Sequence, residues 1–332
     1  MDGKILGVVS AKGGVGKTTI IITLADILKS VFEKRVLVVD GNLEVPSIGL
    51  FLDLLHPPVT LQDVLEGRIS IQQAVYAHRR GFDIVPGYLM AQKKTSTTNL
   101  REKIRPLIDR YDMIIIDSEP GINEDVLGVM KASDQLLVVT TPEYIAVATT
   151  FKVVKTAKEM NIPILGVVVN KVRGKKYEMS QKEIESSLAL PVISTVPYDS
   201  KVSEAFSRAS SALSLFPSSS AVKNLKKLAA EIAGEEYPER VSLLSWRILR
   251  RRAPREVAVE VSGESRDLSA QEKERVEEIK KLALPKKKIL EAALEKLKKN
   301  YEEGFIGEDM YNELKNKYEK EIKEIESKIG ED

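Results

Sequence analysis

The run Lys12–Thr19, KGGVGKTT, gathers into eight residues the groups that hold phosphate: three glycines, two lysines and two hydroxyls. Gly13, Gly14 and Gly16 free the backbone from Cβ clashes, so successive N–H groups around Val15 can turn toward one set of oxygens. A helix predicted to begin near Lys17 adds its positive end. Lys17 is expected to reach the β- and γ-phosphates of a nucleotide, Thr18 to bind Mg²⁺ through its hydroxyl, and Thr19 to lie near the α-phosphate. The ordinary phosphate-loop spacing asks for a glycine five residues before Gly16, but Ala11 stands there. The strict pattern fails, and Lys12 is an extra lysine at the start of the loop.

Two carboxylates complete a metal site in this reading. Asp40 closes the apolar run Val36–Val39, and Asp117 closes MIIID. Either aspartate alone reads as a helix N-cap or turn residue. Together with the phosphate loop, both read as carboxylates that hold Mg²⁺ through its water ligands. Farther along, Asn170-Lys171-Val172-Arg173 imitates the start of a guanine-reading loop. Guanine needs an acid two residues after the lysine, where this chain has Arg173. Adenine is therefore favoured, with Asn170 on the base.

These residues resemble the MinD/ParA family of P-loop ATPases with a deviant, lysine-led phosphate loop. The likeness covers about residues 1 to 235. It implies ATP and Mg²⁺ as ligands, and a homodimer in the ATP-bound state in which Lys12 reaches the partner's nucleotide. It also makes Asp40–Leu50 the first switch and Asp117–Gly121 the second. The family has a second acid two residues after the position of Asp40, where it orients the attacking water. Here that position is Asn42, which can hydrogen-bond a water but cannot take its proton. The catalytic set Lys12, Lys17, Asp40 and Asn42 is thus expected to bind ATP and to turn it over slowly. Glu119 stands where the family often has proline or alanine. It reads either as a carboxylate near the water or, the preferred reading, as a side chain turned to solvent. Pro197-Tyr198-Asp199 looks like the family's loop over the far face of the base, while an ordinary strand-ending turn explains the proline equally well.

The elements that must position these residues are legible as short β-branched runs between helical segments. They are Ile5–Val9, Val36–Val39, Phe82–Val85, Met113–Ile116, Leu136–Val139, Ile164–Val169 and Val192–Val196. Runs apolar on both faces that alternate with helices predict an α/β fold with a doubly wound, mainly parallel sheet. Ligands of such sheets sit at the carboxyl ends of the strands, where Lys12–Thr19, Asp40, Asp117, Asn170 and Pro197–Asp199 all fall.

Composition bounds the rest. A chain of 332 residues, 43% apolar, can hold one large α/β domain and an appendage. With no cysteine there is no disulfide, thiolate metal site or iron–sulfur cluster. His56 and His78 are read as surface residues. Asp2 and Lys4 lead straight into a strand, which does not read as a signal peptide, and no apolar run approaches the roughly 20 residues that span a bilayer. The expected location is cytoplasmic, with a peripheral place at the inner face of the cell membrane.

The ATPase domain is expected over 1–236, a basic linker or amphipathic segment over 237–263 and a helical hairpin over 264–332. The block Arg240–Arg255 carries six arginines, no acid and the chain's only tryptophan, Trp246. It reads as an anchor for an anionic membrane, as a basic helix packed on its own domain, or as a DNA contact. Leu290, Leu294, Leu297 and Tyr301, then Tyr311, Leu314, Tyr318, Ile322, Ile325 and Ile329, keep seam-like spacing on either side of Gly304–Gly307. Such a hairpin could recruit a protein partner. The leading function is a MinD-like ATPase that positions partners at a membrane. The alternatives are a ParA-like DNA-partitioning ATPase, with DNA the less favoured surface, and a nucleotide-gated adaptor with little hydrolysis.

Overall fold

The computed structural model describes residues 3–52, 54, 57–88, 95–208 and 210–237, with scattered helical positions between 291 and 326. The chain divides into two compact units, Met1–Glu239 and Arg240–Asp332.

Along the first unit run β1 (Lys4–Ser10), α1 (Lys17–Ser30), β2 (Val36–Asp40), the short helices α2 (Ile48–Phe51) and α3 (Leu61–Leu65), and β3 (Tyr76–Ala77). There follow β4 (Asp83–Val85), α4 (Leu100–Ile104), β5 (Met113–Pro120), α5 (Glu124–Ala132), β6 (Gln135–Thr140) and α6 (Tyr144–Glu159). The unit closes with β7 (Ile164–Val172), α7 (Gln181–Leu188), β8 (Val192–Pro197), α8 (Ser200–Ser207), α9 (Ala212–Leu215) and α10 (Ser220–Ala233).

One eight-stranded sheet has the order β3-β4-β2-β5-β1-β6-β7-β8. All neighbours are parallel except β3, which pairs antiparallel with β4 at the edge. The seven runs expected as strands are strands. Only the two-residue β3 was not anticipated, because Tyr76–Ala77 carries no apolar run.

Burial explains the architecture. Every residue of β2 is buried, as are all of β1 after Lys4 and the first seven of β5. A strand covered on both faces needs a helix layer on each, which parallel crossovers supply. One layer packs Val39, Leu61, Val64, Leu100, Ile104 and Ile116 together. Beside it, Val126, Val138, Val147, Val154, Val167 and Ile184 form a second cluster. Helix α10 returns against α1 and β8 and ends at Gly234, whose left-handed backbone (φ +67°) stops the helix.

In the second unit the described positions Leu294, Leu297, Tyr301, Tyr311, Tyr318 and Ile322 are helical, and Leu297 and Tyr318 are buried. Tyr301 and Tyr311 stack with ring centroids 4.5 Å apart. Leu290, Leu314, Ile325, Ile329, the Gly304–Gly307 break and the Arg240–Arg255 block lie outside the described residues. So does His56. His78, expected on the surface, is instead half-buried against the Phe82 ring, with centroids 5.1 Å apart. No described helix is long and apolar enough to cross a membrane.

Candidate functional site

Strand β1 passes directly into the glycine loop, and the loop into α1. Gly16 is the N-cap of α1 and takes φ +98°. A Cβ at Gly16 would come 2.4 Å from Asn170 Nδ2, so a side chain is refused both by conformation and by space. Helix α1 has no side-chain cap and no acid in its first turn, which leaves its first N–H groups free for an anion. Gly13, Gly14, Gly16, Lys17, Thr18 and Thr19 line a cavity of about 680 Å³, and Val15 is buried behind them. That volume is typical of small-molecule sites.

Lys17 is buried, and its Nζ donates to Ser10 Oγ at 2.9 Å. Ser10 Oγ in turn donates to the Lys12 carbonyl at 2.9 Å. Burial lowers the Lys17 pKa, and the nearby Asp117 charge opposes that shift. Lys12 itself is exposed.

The two carboxylates meet on the sheet. Asp40 and Asp117 are register partners on β2 and β5, both with no solvent exposure. Thr18 Oγ1 donates to Asp117 Oδ2 at 2.5 Å and lies 3.2 Å from Ser47 Oγ. Asp40 Oδ2 accepts the Ile48 N–H at 2.9 Å. The other oxygen of each carboxylate, Asp40 Oδ1 and Asp117 Oδ1, is buried without a hydrogen-bond partner. Burial, and after it the charge of Asp117, pushes the Asp40 pKa well above the usual range. Asp117 is pushed up to about 6 by burial, against the opposing pull of Lys17 and Thr18. Adjacent buried carboxylates with unused oxygens beside a hydroxyl fit a small divalent cation, which would lower both pKa values. The described residues hold no group of three or more His, Cys, Asp and Glu side chains around a metal position. A two-carboxylate site suits Mg²⁺, which keeps waters and phosphate oxygens as its other ligands.

Asn42 is half-buried at the cavity wall, and its Oδ1 accepts the Val45 N–H at 3.2 Å. Glu119 does not turn to solvent. It is 3% exposed, and its two oxygens accept the Glu44 N–H at 3.0 Å and Asn123 Nδ2 at 2.6 Å. Asn170 braces the glycine loop, with Nδ2 donating to the Val15 carbonyl at 2.7 Å while Oδ1 accepts the Lys171 N–H at 2.9 Å. The amide keeps a second hydrogen and a second lone pair for another ligand. Pro197 and Asp199 also line the cavity, and Asp199 is the N-cap of α8, accepting the Lys201 N–H at 3.0 Å. Arg173 lies 4.2 Å over the Tyr198 ring.

Several residues of the site carry no signal of their role in the sequence. Ser10 and Ser47 hold Lys17 and Thr18, and Phe51 meets Phe206 edge to face at 5.0 Å on the cavity wall. Phe51 and Phe206 come from distant parts of the chain, and no local spacing announces their meeting.

The sequence model of the CobQ/CobB/MinD/ParA nucleotide binding domain matches residues 6–212. An uncharacterized ATP-binding protein of Methanocaldococcus jannaschii is 32% identical over 234 residues, which is 70% of this chain and 88% of that protein. Among solved structures, the cell division ATPase MinD of Pyrococcus furiosus superposes with a TM-score of 0.67 at 31% identity, over 70% of this chain and 99% of that one. The septum site-determining protein MinD of Pyrococcus horikoshii, complexed with Mg-ADP, gives 0.66 at 28% identity, over 69% and 96%.

Proposed function

The chain belongs to the CobQ/CobB/MinD/ParA nucleotide-binding family, and from that premise we propose that it is a MinD-like ATPase that dimerises with ATP and positions or recruits partners at a membrane surface. The observation that carries this reading is the joined constellation of Lys17, Thr18, Asp40 and Asp117, with two buried carboxylate oxygens left for a cation beside an uncapped helix end. Thr18, with Asp40 and Asp117 acting through water, would hold Mg²⁺, which when bound neutralises phosphate charge. Lys17 binds the β- and γ-phosphates, and the N–H groups around Val15 and Thr19 orient the rest. Asn170 reads the base edge with its remaining hydrogen and lone pair, between the glycine loop and the Pro197–Asp199 turn. The solved Pyrococcus horikoshii relative in complex with Mg-ADP supports this assignment of ligands.

The dimer reading draws on surface chemistry. Val45 and Ile122, on the loops after β2 and β5, and Tyr144 and Ile145, at the start of α6, are exposed apolar side chains. In the strand order β5 and β6 flank β1, with β2 next beyond β5, and the loop after β1 carries exposed Lys12. Apolar exposure at the same sheet edge as a cation of the glycine loop suits a face that a second copy covers. The Arg240–Arg255 block supplies the basic and apolar parts of an anionic-membrane anchor. The second reading, a nucleotide-gated adaptor with little turnover, is favoured by Asn42, whose carbonyl is already engaged by Val45.

The test is ATP turnover by the full chain with Mg²⁺, alone, with anionic liposomes and with duplex DNA. The proposal predicts slow turnover that liposomes accelerate and DNA does not. Asn42→Asp should raise the rate, because a positioned general base contributes about 10²–10⁴-fold when fully effective. ATP binding without turnover in both proteins would favour the adaptor. Acceleration by DNA alone would favour partitioning.

A further inference from the structure

Asn42 and Glu44 lie on the short loop that follows Asp40, the last residue of β2, and each end of that loop is tied. Asp40 Oδ2 holds the Ile48 N–H, and Asn42 Oδ1 closes a turn on the Val45 N–H. The remaining tie comes from the neighbouring strand, where Glu119 Oε1 accepts the Glu44 N–H. Glu119 Oε2 accepts from Asn123, whose own Oδ1 caps α5 by accepting the Val126 N–H at 2.8 Å. Directly after Glu119, the Gly121 N–H donates to the Ser10 carbonyl at 2.9 Å, at the entrance of the glycine loop.

We propose that Glu119 is a positioning residue that straps the loop after β2 to the loop after β5 and to α5, so that the two loops flanking the phosphate site move as one body. A carboxylate suits the place because it only accepts, and both of its neighbours donate. An ionised acceptor strengthens both bonds, and the one from Asn123 is short at 2.6 Å, which offsets the burial. Proline or alanine at this position offers no acceptor at all. Glutamine would set its NH₂ against the NH₂ of Asn123, and turning Asn123 over would uncap α5. The strap consists of the chain's own hydrogen bonds and stands whether or not ATP is the ligand. Its effect on turnover rests on the proposed ATPase activity.

Hydrogen exchange of the Glu44 amide in the full chain, without nucleotide, reads the strap directly. In Glu119→Ala the Glu44 amide should exchange at least about tenfold faster than in the parent, as expected for loss of a bond to a charged acceptor. Glu119→Gln should exchange faster as well. The exchanged pair Glu119→Gln/Asn123→Asp restores one donor facing one acceptor, keeps an N-cap on α5, and should return protection toward the parent level. Unchanged exchange in folded Glu119→Ala, or no recovery in the exchanged pair, would overturn the strap. Turnover supplies the second arm: loss of the strap should lower kcat with KM little changed, and the exchanged pair should recover kcat. Faster Glu44 exchange with kcat equal to the parent would reduce Glu119 to a structural bond and overturn its positioning role. If the parent itself does not turn ATP over, the ATPase proposal fails while the exchange result still decides the strap.

Discussion

Asp40 and Asp117 are charged groups placed where charge is expensive. They are neighbours in register, fully buried, and each leaves an oxygen without a hydrogen-bond partner. Asp117 is pushed up to about 6, chiefly by burial. Between about pH 4 and 6 the folded chain therefore holds a proton that the unfolded chain has released, so stability without metal falls as pH rises through that window. Asp117→Asn removes the titrating group and still offers Thr18 an acceptor. Melting in EDTA should show the parent losing several degrees between pH 4 and 7, and the variant losing less and melting higher at pH 7. An Asp117→Asn protein that melts lower than the parent at pH 7 would show that Lys17 already compensates the charge. At this scale the sequence showed which residue types gather, since Lys17, Thr18, Asp40 and Asp117 all carry recognisable spacing. Glu119 was not legible. Whether a carboxylate at the end of a strand is solvated or buried depends on Glu44 and Asn123 folding around it, and nothing in SEPG records that.

The elements were legible to the extent that burial writes itself into composition. Strands such as VLVVD and MIIID are apolar on both faces because both faces are covered. Their ends were less so: β5 runs on through Glu119 and Pro120, and β7 through Val172, where polar residues end the apolar signal but not the hydrogen bonding. The cavity wall made by Phe51 and Phe206 depends on α2 meeting α8, a tertiary fact with no local trace. The start of α1 gives a sharp test at this scale. Gly16→Ala forces a side chain into both a left-handed backbone and the Asn170 amide, whereas Gly174, at φ +67°, has nothing within 4 Å of its Cβ position. Each left-handed strain costs about 1–3 kcal/mol, so Gly174→Ala should lower stability modestly and leave nucleotide affinity intact. Gly16→Ala should abolish nucleotide binding as measured by calorimetry. Equal affinities in the two variants would mean that the glycine loop does not hold the phosphates.

For the whole molecule, the sheet order brings the carboxyl ends of β2, β5, β1 and β6 onto one edge, and exposed apolar side chains stand on the loops after β2 and β5 and at the start of α6. Fold and family were readable from the first unit because a phosphate loop between a strand and a helix leaves little freedom. The role of the second unit was not, because Lys- and Glu-rich helical spacing says that a seam exists without saying what covers it. In the proposed function the two lysines of KGGVGKTT have different tasks, Lys17 holding its own chain's nucleotide and Lys12 reaching across a dimer. Sedimentation of the parent, Lys12→Ala and Lys17→Ala with Mg²⁺ and a non-hydrolysable ATP analogue, alongside analogue affinity, separates the two tasks. The parent should sediment as a dimer, Lys12→Ala should bind the analogue with near-parent affinity yet remain a monomer, and Lys17→Ala should neither bind nor dimerise. A Lys12→Ala protein that dimerises like the parent would contradict that division of tasks.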